Sequence, residues 1–104
     1  EVIDPRTLDA VSLDWQTISA SVQRTNRLLV AEQTARGPSL GAGIVQEGHE
    51  RLFDWLDHQI LRVSGTQSAP VVSKILEQAA LAGVDDVVAG IHALMGGDAR
   101  EAAE

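Results

Sequence analysis

The apolar positions of the chain fall into two kinds of run. Three are short and aliphatic: Glu1-Val2-Ile3-Asp4, Arg27-Leu28-Leu29-Val30-Ala31-Glu32 and Gln59-Ile60-Leu61-Arg62-Val63-Ser64. They read as strands, and the middle one, apolar without a break at its centre, suits a strand covered on both faces. Elsewhere the apolar residues recur at helical spacing. Trp15, Ile18 and Val22 stand at i, i+3 and i+7, which predicts a helix over residues 13–25 with Ser12 or Asp14 as its N-cap. Gly41, Ile44, Val45, Gly48, Leu52, Trp55 and Leu56 share one face of a second helix from about Leu40 to Leu56, and Glu47, Glu50, Asp54 and Asp57 take the opposite face. Glycines at 41 and 48 weaken that helix, so a neighbouring element is expected to approach closely there. Val84, Val87, Val88, Ile91, Leu94 and Met95 form the stripe of a third helix, with Asp85 and Asp86 at the positive end of its dipole and Gly96-Gly97 stopping it. Gly65 to Pro70 reads as a loop and Ser73 to Leu81 as a short helix.

Strands alternating with helices imply an α/β fold with a parallel sheet and helices on its faces. With 104 residues there is length for one domain, placed at residues 1–97, and the polar, alanine-rich residues 98–104 read as a frayed tail. No cysteine is present, which excludes a disulfide framework and a cysteine-based zinc site and fits a reducing compartment. Eight Lys+Arg against fifteen Asp+Glu give a net charge of -7, so neither nucleic acid nor an anionic membrane is the expected partner. No apolar run approaches the ~20 residues of a spanning helix.

Candidate chemistry is sparse. The glycine-rich stretch Arg36 to Gly43 follows a strand and opens a helix, where phosphates bind in other folds. It fits neither G-x-G-x-x-G nor the Walker pattern and carries no lysine, so a tight turn with Ser39 as helix cap is the simpler reading. His49, His58 and His92 lack metal-ligand spacing. The acidic row Glu47, Glu50, Asp54 and Asp57 reads first as a solvated helix face and second as a docking surface for a basic partner. Arg6 follows a strand end at the carboxyl edge of the sheet, where ligands and interfaces gather. A salt bridge to a nearby carboxylate is its plainer role.

Taken in order, the segments resemble a known family. Glu1-Val2-Ile3-Asp4-Pro5-Arg6-Thr7-Leu8 is similar to the "EVIDLRTL" strand and turn of the transketolase C-terminal domain, in the version found in β subunits of thiamin-diphosphate-dependent 2-oxo acid dehydrogenases. Leu13-Asp14-Trp15, Thr25-Asn26-Arg27-Leu28-Leu29-Val30, Phe53-Asp54-Trp55-Leu56-Asp57 and Val84-Asp85-Asp86-Val87-Val88 continue the likeness to about residue 95. Departures occur at Asp9 to Ser12, which is longer than the usual turn, at Pro38-Ser39, at Gly43 and around Pro70-Val71-Val72. The family's preceding strand and helix are also missing from the front.

The resemblance implies a three-layer α/β/α fold with a mostly parallel sheet, lacking the family's first strand and helix. It implies a structural, subunit-assembly domain whose parent enzyme carries out oxidative decarboxylation of a 2-oxo acid. Thiamin diphosphate and magnesium are then held by other segments of the parent, and no catalytic, cofactor-binding or metal residue is carried over to this chain, which is expected to be inactive alone. The implied partners are an α subunit or upstream domains, a second β subunit and the acyltransferase core of the complex, with Arg6, Glu47, Glu50, Asp54 and Asp57 as candidate interface residues. The implied compartment is the bacterial cytoplasm or the mitochondrial matrix. Alternatives are the C-terminal domain of a transketolase or of a 1-deoxyxylulose-5-phosphate synthase, and a free-standing protein-binding module. With part of the sheet uncovered, the chain is expected to be an oligomer or only marginally stable.

Overall fold

The computed structural model describes residues 1–9, 12–34, 39–65 and 82–96. The short helix expected at Ser73–Leu81, most of the loop before it and the polar tail lie outside the described residues.

The first helix, α1, spans Trp15–Thr25 and is capped by Asp14 rather than Ser12. Its carboxylate accepts the Thr17 amide at 3.1 Å and the Thr17 hydroxyl at 2.7 Å, so one side chain satisfies an N–H left open by the first turn. The helix ends at Asn26, whose φ of 61° is the left-handed conformation that asparagine tolerates better than most residues. The same residue donates its side-chain amide to the Trp55 carbonyl at 2.7 Å, and its carbonyl accepts from Asp57 N–H at 2.9 Å. The end of α1 is thereby tied to a segment about thirty residues on.

Strand β1 (Leu29–Ala31) and strand β2 (Leu61–Val63) pair in parallel, Leu29 with Leu61 and Ala31 with Val63. A parallel pair needs a crossover, and helix α2 (Leu40–Leu52) with a 3₁₀ turn (Phe53–Trp55) supplies it. The last described helix, α3, runs Val84–Gly96. Side chains alternate across a strand, and the glycines reveal which helix lies on which side. A side chain at Gly48 of α2 would meet Ile60, Leu28 and Trp15, whereas one at Gly90 of α3 would meet Val63, Leu29 and Leu61. The layers are therefore α1 with α2, the strands, and α3, the three-layer α/β/α arrangement expected. The close approach read from Gly41 and Gly48 is also found, against Glu32 and Ile60 respectively.

The principal core lies on the α1/α2 side: Leu13, Trp15, Ile18, Val22 and Leu52 are buried, with Ile3, Leu28, Ile44 and Leu56 packed against them. Leu61, Val63 and Leu94 are buried as well, and on the α3 side Leu61 and Val63 line the contact with Gly90.

Four expectations are corrected. Residues 1–4 form no strand, because a strand exists only through its ladder and no described strand pairs with them. Val2 is 97% exposed, Ile3 packs on the core, and Glu1 bridges instead to Arg24 on α1. The other two strands are shorter than their apolar runs, since only the centre of each is laddered. The second helix loses its α period after Leu52, so Leu56 keeps its place on the core while Trp55 comes out 46% exposed. The stripe of α3 divides: Gly90 and Leu94 are buried, and Val84, Val88, Ile91 and Met95 are exposed.

Candidate functional site

Two polar features merit description, one internal and one on the surface. The internal one sits where the crossover turns into α2. Ser39 caps the helix by accepting the Ala42 amide at 3.2 Å. Its hydroxyl donates to a Glu32 oxygen at 2.6 Å, and the other Glu32 oxygen accepts the Gly41 amide at 2.9 Å. Arg62 of β2 donates to Ser39 Oγ at 3.3 Å and stands 3.8 Å from the Glu32 carboxylate. The positive end of α2, which could hold an anionic ligand, is thus filled by the chain's own carboxylate. A side chain at Gly41 would fall on that carboxylate. The Ser39 cap is found as read, and the turn expected before it lies outside the described residues. The partner that completes it, Glu32, carried no signal in local spacing, because it lies at the end of β1.

The surface feature is the end of α2 and the 3₁₀ turn after it. Glu50, Asp54 and Asp57 are exposed there, as the amphipathic pattern required. Glu47 is not free. It takes the Arg51 guanidinium one turn on at 2.9 Å, and Arg51 lies over the Trp15 ring at 5.1 Å from its centre, a cation–π arrangement. Among these carboxylates in sequence stand two aromatic residues, Phe53 at 74% exposure and the half-exposed Trp55. The apolar pattern had placed Trp55 inward, so this mixed aromatic and acidic patch was legible only as an acidic face.

Arg6 lies apart from that patch. Its φ of 61° is left-handed, and the turn is held by Asp4, which accepts the Arg6 amide at 3.1 Å and pairs with its guanidinium at 3.4 Å. No described hydrogen bond or ion pair joins Arg6 to any of the four acidic residues. The salt-bridge role is the one realised.

His49 accepts the Ile60 amide on Nε2 at 3.1 Å, fixing the start of β2 to α2. His58 and His92 are exposed. Among the described residues no three His, Asp or Glu side chains are grouped to hold a metal ion, and no helix is long and apolar enough to cross a membrane.

Comparison with known proteins supplies what the geometry alone does not. The family described as "Transketolase, C-terminal domain" matches residues 1–87. The chain is 37% identical over 79 residues, 73% of its length, to the pyruvate dehydrogenase E1 component subunit beta of Porphyra purpurea. It is 39% identical over 85 residues to the 3-methyl-2-oxobutanoate dehydrogenase subunit beta of Mycobacterium tuberculosis, covering 82% of this chain. A Rickettsia conorii pyruvate dehydrogenase E1 component subunit beta is 38% identical over 91 residues, 88% of this chain. The chain spans about a quarter of each relative: 24%, 24% and 27% of their lengths.

Proposed function

The chain belongs to the transketolase C-terminal domain family, and on that premise we propose that it is the assembly and docking domain of a 2-oxo acid dehydrogenase β subunit. The observation that carries this is the combination of 37–39% identity to such β subunits with coverage of only about a quarter of them. The parent would oxidatively decarboxylate a 2-oxo acid using thiamin diphosphate and magnesium. These groups do not fit the described residues: the α2 N-terminus is filled by Glu32, and no triad of ligating side chains is present. In this reading they are held elsewhere in the parent, and no chemical step is assigned to this domain.

The partners proposed are the α subunit or upstream domains, a second β subunit and the acyltransferase core. Docking of the core is placed on the patch of Glu50, Asp54 and Asp57 around Phe53 and Trp55, exposed carboxylates flanking exposed aromatic surface. That composition suits a partner with basic side chains and an apolar centre. Glu47, held by Arg51, contributes less, and Arg6 belongs to a separate contact. The proposed compartment is the cytoplasm of a bacterium or the mitochondrial matrix of a eukaryote.

The test is deletion of residues 1–104 from the parent β subunit, followed by reconstitution with its α subunit. Loss of both assembly and 2-oxo acid oxidation is expected; full activity without this domain overturns the reading. For docking, the triple charge reversal Glu50→Lys, Asp54→Lys, Asp57→Lys should weaken binding of the acyltransferase by roughly tenfold or more at low salt, with a smaller effect at high salt.

A further inference from the structure

The 3₁₀ turn that carries the aromatic and acidic patch is not held in place by its own side chains. Leu52 before it is buried and Leu56 after it packs on the core, but Phe53, Asp54 and Trp55 between them are exposed. The bond that closes the turn is long, with the Leu56 amide 3.4 Å from the Phe53 carbonyl, so the turn alone is weak. Asn26 holds it from outside. Its side-chain amide donates to the Trp55 carbonyl at 2.7 Å, and its carbonyl accepts the Asp57 amide at 2.9 Å, one bond on each side of Leu56. Its own backbone amide donates to the Val22 carbonyl at 2.7 Å and closes α1. Among the described residues, Asn26 supplies the hydrogen bonds that reach this turn from beyond α2.

We infer that Asn26 is the positioning residue of the docking patch: by clamping the backbone at Trp55 and Asp57 it presents the exposed aromatic and acidic residues as a preformed surface. The position asks for asparagine on two counts. Its φ of 61° is left-handed, a conformation that glycine, asparagine and aspartate adopt most readily. Glycine would keep both backbone bonds and lose the side-chain donor. Aspartate would keep the shape but set one acceptor against another, a carboxylate oxygen against the Trp55 carbonyl. Asparagine alone of the three supplies both the conformation and the N–H. A preformed surface gives up less freedom on binding than a loose turn, so the clamp acts on affinity. This inference deepens the docking reading above and rests on it for its partner, the acyltransferase core.

The test compares Asn26→Gly and Asn26→Asp with Asp14→Ala, each in the parent β subunit assembled with its α subunit. Asp14→Ala removes the cap at the other end of α1, which weakens the same helix without touching the turn. Loss of one hydrogen bond predicts that Asn26→Gly raises the dissociation constant for the acyltransferase about fivefold. Asn26→Asp should raise it at least as much, although its added negative charge alone would favour a basic partner. In both variants, hydrogen-exchange mass spectrometry should show faster exchange in peptides covering residues 53–57, by about fivefold. Asp14→Ala should change neither readout. Unchanged exchange of the turn in Asn26→Asp overturns the inference. So does an equal loss of affinity in Asp14→Ala, because the effect is then a general loss of stability. The charge reversal Glu50→Lys, Asp54→Lys, Asp57→Lys separates this inference from the docking reading. If it weakens binding and Asn26→Gly does not, the inference fails and the docking reading stands; if neither weakens binding, both fail.

Discussion

Two helices close on the same pair of strands from opposite sides, each through a glycine, and the two sides are built differently. Beside α2 the space is filled from within the chain: α1 contributes Trp15, Ile18 and Val22, Leu52 closes the end, and a carboxylate seals the helix start. Beside α3, Gly90 closes on Val63, Leu29 and Leu61, and four large apolar side chains of the helix, Val84, Val88, Ile91 and Met95, are exposed. One side holds the domain together; the other offers surface. A single hydrophobic pattern therefore serves two ends, and burial, not spacing, separates them.

The largest effect that would sharpen this contrast is truncation of the two cores. Leu52→Ala, on the α2 side, should cost about 3–4 kcal/mol, and Leu94→Ala, on the α3 side, about 2 kcal/mol. Urea unfolding of both variants measures the difference; equal losses would break the comparison. Next come the glycines. In Gly90→Ala the new methyl would lie 2.8 Å from Val63 Cγ2 and 3.0 Å from Leu29. Val63 is β-branched and laddered, so it cannot yield cheaply, and a loss of about 1–2 kcal/mol is expected. In Gly48→Ala the methyl meets the free end of Ile60 at 2.7 Å, with Trp15 at an ordinary 3.7 Å. Ile60 can rotate and the helix gains propensity, so stability should change by no more than about 0.5 kcal/mol. Thermal melts of the pair decide it.

The smallest effect expected is in the pH dependence. The Asp14 carboxyl is held below the usual range chiefly by the Thr17 hydroxyl and then its amide. Glu1 is lowered by a hydrogen bond from Ser21, with Arg24 adding its charge. Both belong to the α1/α2 side. A carboxyl lowered by folding contributes stability that is present above its unfolded pKa and lost as pH falls through the folded value. Stability should therefore decline toward acid, below the ordinary carboxylate range. Asp14→Asn, which keeps a capping side chain, should flatten part of that decline. An unchanged acid limb in this variant would exclude the cap as a source.

What was legible in the sequence is what short-range periodicity controls. The start of α1 to within the choice of Ser12 or Asp14 as cap, the Ser39 cap of α2 and the two central strands all follow from residues within a turn or two of each other. What was not legible depends on distant partners. Val2 and Ile3 have strand composition but no strand beside them, and the Glu32 carboxylate finds Gly41 only after the crossover has turned. The α3 stripe misled for a related reason. Gly90, invisible to a count of apolar residues, marks the middle of the buried side, and the face is turned from the one that the bulkier residues suggest. Of the candidate site, the acidic residues could be read directly. The aromatic surface among them could not, because it appears only where the α period stops at Leu52.

The parallel pairing of Leu29 with Leu61 also bears on how quickly the chain folds. Strands joined this way cannot zip outward from a tight turn; the crossover segment that carries α2 must close between them. Loop-closure entropy is therefore spent early, and non-local contacts reward it late. The Glu32–Ser39–Arg62 cluster joins the end of β1, the start of α2 and the middle of β2 at one point. A contact that spans all three elements of a crossover forms only once that crossover has closed, so removing the seal over the helix start is expected to change the folding rate as well as the stability, which stopped-flow refolding of Glu32→Gln measures.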